Sequence, residues 1–124
     1  MAYIDGFVVP ILPGKRDAYR ETAMAAAPIF LEHGALQVVE SIGDDVPHGK
    51  VTDFYRAVSA EEGELVNFSW ILWPSKATRN AGMAKVMADD RMKNLGEMPF
   101  DMKRMIFGGF EVILDTALAE GEGS

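Results

Sequence analysis

The chain contains no cysteine, which removes disulfides, thiolate zinc centres and a cysteine nucleophile together and makes it compatible with a reducing compartment. The cytoplasm is therefore the expected location. No apolar run approaches the roughly 18 residues of a membrane span, and the N-terminal MAYIDGFVV carries an acid where a secretory leader would carry lysines. A soluble, unprocessed protein with no membrane partner is expected. Positive charge is also scarce: 12 Lys and Arg stand against 19 Asp and Glu, a formal net charge of -7. The densest cations, Arg91, Lys93, Lys103 and Arg104, are interleaved with Asp89, Asp90, Glu97 and Asp101, so there is no basic surface for phosphates and nucleic acid is not an expected partner. A nucleophile triad, a Walker motif and a phosphate-binding glycine loop are missing; Gly108-Gly109 is not such a loop, because no helix start follows it.

What is present suffices for one core. At 124 residues and 48% hydrophobic content a chain buries roughly two thirds of its unfolded surface without staples. Residues 1–115 read as a single α+β domain, and 116–124, ending Glu120-Gly-Glu-Gly-Ser124, as a flexible acidic tail.

Segments of period 2 and period 3.6 alternate along the domain. Tyr3 to Pro10 reads as a strand apolar on both faces, and Lys15 to His33 as a helix with Tyr19, Ala23, Ala26 and Phe30 on one stripe, interrupted by Pro28 and closed by Gly34. Leu36 to Ile42 is a second strand, and Val51 to Val58 an extra one. Leu65 to Trp73 is the third, with Val66, Phe68, Trp70 and Leu72 apolar at the even positions. Ser75 caps a second helix with a stripe of small residues, Ala77, Ala81 and Ala84, and Met105 to Leu114 is the last strand.

This β-α-β-β-α-β order predicts a ferredoxin-like sandwich, an antiparallel sheet with two helices on one face. With Gly6 and Gly108 placed beneath the helices, the opposite face would carry Tyr3, Phe7 and Val9 from the first strand and Met105, Phe107 and Ile113 from the last. That is more apolar surface than a monomer leaves to water, so a homodimer with two sheets face to face is expected.

Several segments carry a resemblance: Tyr3-Ile-Asp-Gly-Phe-Val8, Gly34-Ala-Leu36, Asp44-Asp-Val-Pro47, Gly49-Lys-Val-Thr-Asp-Phe54, Phe68-Ser-Trp70, Pro74-Ser-Lys76 and Pro99 to Glu111. They resemble the bacterial YbaA-like family, a domain family of unknown function, up to about Asp115. The resemblance implies a dimeric α+β barrel; no cofactor is expected. Some members carry a label mentioning signal-recognition-particle RNA, to which the acidic balance lends no physical support. The chain departs from the family at Arg79-Asn80-Ala81-Gly82-Met83, where an Arg-Asp-Ala-Ala-Asn run is usual, and at Asp89-Asp90-Arg91, where Asp-Pro-Arg is usual. Gly82 should weaken its helix by about 1 kcal/mol relative to Ala.

Three constellations could carry chemistry. Asp44, Asp45, His48 and Asp53 have metal-ligand side chains, but a turn whose aspartates bond their own backbone explains them and no metal is expected. Asp5 and Glu111, on strands adjacent in this fold, are a candidate carboxylate pair; pairing with Lys or Arg is the competing reading. A space left by Gly6 and Gly108 under the first helix could form a pocket lined by Tyr19, Phe30, His33, Phe68, Trp70 and Phe110, with a filled core as the alternative. The expected function is binding of a small molecule between sheet and helices. The resemblance to the superfamily adds an alternative, a cofactor-independent monooxygenase or isomerase acting on a small aromatic or lactone-like substrate, with His33 or Tyr19 polarising it.

Overall fold

A computed structural model describes residues 1–117; the expected acidic tail lies, from residue 118, outside the described residues. The element order is β1 (Tyr3–Val8), β2 (Pro10–Ile11), α1 (Arg16–Glu32), β3 (Gln37–Ile42), α2 (Phe54–Ala57), β4 (Leu65–Trp73), α3 (Lys76–Ala88), α4 (Asp90–Lys93) and β5 (Ile106–Glu111). The fold is mixed α+β with an antiparallel sheet. β4 is central: β1 and β2 pair along one edge, β3 along the other, and β5 pairs with the far side of β1.

β1 and β2 are one strand interrupted at Val9, since Tyr3↔Trp73 and Pro10↔Val66 keep a common register. At the interruption the Val9 N–H donates to the side-chain Oδ1 of Asn67 at 2.5 Å. Asn67 is thus drawn into the ladder, and its amide nitrogen is left to donate elsewhere. The expected strand over Val51 to Val58 is instead the short helix α2, because the Asp53 carboxylate accepts from the Arg56 N–H at 2.8 Å and the Gly49 N–H at 3.0 Å and closes a turn.

Helices α1 and α3 cover one face of the sheet. That face carries the odd positions of β1 and β4: Asp5 bonds to Arg79 of α3, and Ile71 and Trp73 form a core with Ala35 against which Phe7, Phe30 and Met83 pack. The expected assignment of faces is therefore inverted. Gly6 and Gly108 lie opposite each other on the uncovered face, where the Phe110 ring fills the space above both, 3.5 Å from where either Cβ would stand. Tyr3, Phe7 and Phe107 lie on the helix side, with the Phe7 and Phe107 rings stacked at 6.4 Å.

At one end of the second face the segment holding α2 packs Val46, Tyr55 and Val58 over Val8 and Val66. The remainder is open and apolar: Phe68 is 48% exposed, Phe110 57% and Ile106 44%.

Candidate functional site

Where α1 meets the sheet, the odd positions of β4 bring polar groups into the core. Asn67 and Ser69 are buried, and so is Tyr19 of α1. The Tyr19 hydroxyl donates to Glu40 Oε1 of β3 at 2.5 Å, and Asn67 Nδ2 donates to the Tyr19 oxygen at 2.6 Å, to Ser69 Oγ at 3.2 Å and to Glu40 Oε1 at 3.3 Å. Among the described residues no buried side-chain nitrogen or oxygen is left without a partner, so the cluster is compatible with a stable core.

The cluster opens into a groove of about 370 Å³ between α1 and the edge strand β3. One face of α1, with Arg16, Arg20, Ala23, Met24 and Ala27 at helical spacing, forms one wall; Val38, Glu40 and Ile42 form the other. The Glu40 residue is exposed along the strand edge, while its carboxyl end lies among protein atoms. This desolvation raises its pKa, and hydrogen bonds from Tyr19, Asn67 and Ser69 oppose the rise. Burial first, and then the neighbouring Glu40, push the Tyr19 phenol far above its ordinary value, so it remains a proton donor.

The expected aromatic pocket is not assembled. Tyr19 is at the floor of this groove, Phe30 packs on the Trp73 core, and His33 caps the end of α1, with Nε2 2.9 Å from Asp89 Oδ2. Phe68 and Trp70 face the other side of the sheet, because Asn67, Ser69, Ile71 and Trp73 occupy the helix side of β4, and Phe110 of β5 lies on that other side over Gly6 and Gly108. Glu40 and Asn67 were not identified from sequence. The signal for Asn67 was available: an amide flanked by apolar residues in a central strand needs buried partners.

Asp5 and Glu111 do not form a proton-sharing pair. Asp5 is 3% exposed and ion-paired with Arg79, whose Nη2 is 2.8 Å from Oδ1 and whose Nε donates at 3.0 Å; Trp73 Nε1 donates to Oδ2 at 3.0 Å. Gly109 makes this possible. It is the partner of Asp5 across the β1–β5 ladder, and its missing side chain leaves room for the Tyr3 hydroxyl and the Arg79 guanidinium. Glu111 is exposed and lines a separate recess with Tyr3, Ser75 and Lys76.

His48 stacks on Tyr55 with ring centroids 4.4 Å apart and lies 3.8 Å from Asp53, whose carboxylate is already engaged as the α2 cap. Backbone N–H donation from Arg56 holds the Asp53 pKa below the usual carboxylate range. Asp44 and Asp45 are exposed, and among the described residues no three His, Asp or Glu side chains converge as metal ligands would.

A family model described as a protein of unknown function, DUF1428, matches residues 2–102. The chain belongs to this family. Over 116 residues it is 61% identical to the uncharacterized protein YbaA of Escherichia coli K12, a match covering 93% of this chain and 99% of that protein, and equally to YbaA of Shigella flexneri. Among solved structures it resembles a nipsnap family protein of unknown function from Agrobacterium tumefaciens, with TM-score 0.53 and 12% identity over 88% of this chain and 86% of the other. Rv0793 from Mycobacterium tuberculosis superposes with TM-score 0.52 and 13% identity over 94% of this chain and 99% of the other. At these identities the two structures share the fold alone. No helix among the described residues is long and apolar enough to cross a membrane.

Proposed function

We propose that this protein is a homodimeric α+β barrel of ferredoxin-like topology that binds a small molecule between helix α1 and the sheet. The observation that carries the binding reading is the Tyr19–Asn67–Glu40 cluster at the floor of a concave surface. A core that only needed to be filled would place apolar side chains there; a carboxylate with a raised pKa beside a protonated phenol is typical of a site that meets a ligand.

The dimer rests on the uncovered sheet face. Phe68, Trp70 and Phe110 form a patch that a second sheet would bury, and the sheet order, with α1 and α3 on the opposite face, leaves this patch free for it. An assembled interface is expected to bury more than about 1,000 Å² in total. Light scattering is expected to return a dimer for the wild-type chain and a monomer for Phe110→Asp; a monomeric wild type at micromolar concentration overturns the assembly.

Binding is tested by nuclear magnetic resonance with labelled methionine methyls, since Met24 lies in the groove wall. A library of small apolar acids, esters and alcohols is expected to shift the Met24 methyl in wild-type protein and not in Ala27→Phe, which fills the groove. Shifts confined to methionines outside the groove, or none at any site, overturn the reading.

A further inference from the structure

Arg20 is set apart from the other arginines. Arg16, Arg56, Arg79, Arg91 and Arg104 each lie within ion-pair distance of an acid, whereas Arg20 has no acidic partner among the described residues. Arg20 lines the groove, one helical turn from Arg16 on the same face of α1. Arg16 is itself only loosely engaged, 3.8 Å from its neighbour Asp17 with both side chains well exposed.

Opposite them lies the Glu40 carboxylate, on whose Oε1 the Tyr19 and Asn67 hydrogen bonds both end. The groove therefore offers cationic donors on one wall and an anionic acceptor on the other. Ala23, Met24 and Val38 supply the apolar surface between.

We propose that the groove selects a small carboxylic acid with a hydroxyl or amino group beside the carboxylate and a short apolar or aromatic body. This rests on the small-molecule reading above and specifies its ligand class. The carboxylate meets Arg20, with Arg16 adding charge and a second set of donors; guanidinium suits carboxylate because its N–H groups match both oxygens. The neighbouring hydroxyl or ammonium donates to the Glu40 carboxylate. The body lies on Ala23 and Met24, where the thioether sulfur favours an aromatic ring. About 370 Å³ accommodates a ligand of this size and is at the small end of ligand pockets.

The test uses mandelate and phenylglycine as probes, with methyl mandelate lacking the carboxylate charge and phenylacetate lacking the donor. Affinities are read from the Met24 methyl. Mandelate or phenylglycine is expected to bind at least about tenfold more tightly than methyl mandelate, as a charged pair lost in a partly desolvated site implies. Arg20→Gln is expected to remove that preference while the neutral ester binds as before. Phenylacetate is expected to bind more weakly than mandelate to wild type, and equally with it to Glu40→Leu. Whether phenylglycine or mandelate binds more tightly assigns the donor as ammonium or hydroxyl, and either result supports the class. If the ester and phenylacetate shift Met24 as strongly as mandelate, acid recognition fails and the binding groove stands. If no probe shifts Met24 and the wider library also leaves it unmoved, the groove reading fails as well.

Discussion

The backbone of Gly82 in α3 lies against the Trp73 indole, with the His33 carbonyl on its other side. A methyl group at 82 would run into Trp73 Cζ3 and stand 2.5 Å from the His33 oxygen, which belongs to the end of α1 and cannot rotate away. The departure from the family pattern at this position therefore allows close packing, and intrinsic helix propensity is the smaller effect. Gly82→Ala gains about 1 kcal/mol of helix propensity and loses about 1 to 3 kcal/mol to overpacking. Urea denaturation is expected to show a net loss; a gain in stability would mean that α3 sits further from the sheet.

The glycine pair of β5 should respond asymmetrically. Gly109→Ala places a methyl group on the Tyr3 hydroxyl and 2.9 Å from Arg79 Nη2, displacing the guanidinium from Asp5. A loss of about 2 to 4 kcal/mol is expected, from overpacking and a weakened buried pair. Gly108→Ala meets only the Phe110 ring at an ordinary 3.5 Å. Its folding stability should change by less than about 0.5 kcal/mol, and its effect should appear in dimer dissociation. Measuring both quantities for both variants separates the faces; equal losses of folding stability would contradict the placement.

Much of this fold was legible in the sequence, and the largest error has a single source. β4 was read to the residue because its ends are marked by a glycine turn and by Pro74-Ser75, and Ser75 does cap α3, accepting from the Thr78 N–H at 3.1 Å. The faces were inverted because β1 is apolar on both sides, which leaves period 2 without a direction. Asp5 held the missing information. A carboxylate in a central strand must find a cation, and Arg79 supplies it from the helix that follows β4. The groove was half legible: Tyr19 was singled out, but Glu40, Asn67 and Ser69 were not, since a single carboxylate, amide or hydroxyl in a strand does not name its partner. Only the pairing of β3 with β4 joins them.

Asp5→Asn tests that ion pair. The amide keeps an acceptor for the Trp73 indole but leaves Arg79 without its counter-charge, in a site where Asp5 is 5% and Arg79 24% exposed at the side chain. The expected cost is about 2 to 4 kcal/mol. The double variant Asp5→Asn, Arg79→Met should recover part of it, because the uncompensated charge is then removed. A double variant no more stable than the single one, with the single one near wild type, would show that the pair adds nothing to the fold.

Glu40 carries the pH dependence. Its pKa in the fold is raised, chiefly by desolvation, so the native state holds this proton more tightly than the unfolded chain does. Stability therefore falls as pH rises from the unfolded value of about 4.3 through the folded pKa, and the loss is complete above it. Glu40→Gln removes this proton while keeping an oxygen to accept from Tyr19. The carboxylates of Asp53, Glu64, Asp89 and Asp101, all with lowered pKa, work in the opposite sense as pH falls, but they are common to both proteins and cancel in the difference. The stability of Glu40→Gln relative to wild type is thus expected to rise between pH 4 and pH 8. Urea midpoints at intervals across this range would measure it. A variant that is less stable by a constant amount at every pH would show that Glu40 titrates normally and that the groove holds no perturbed acid.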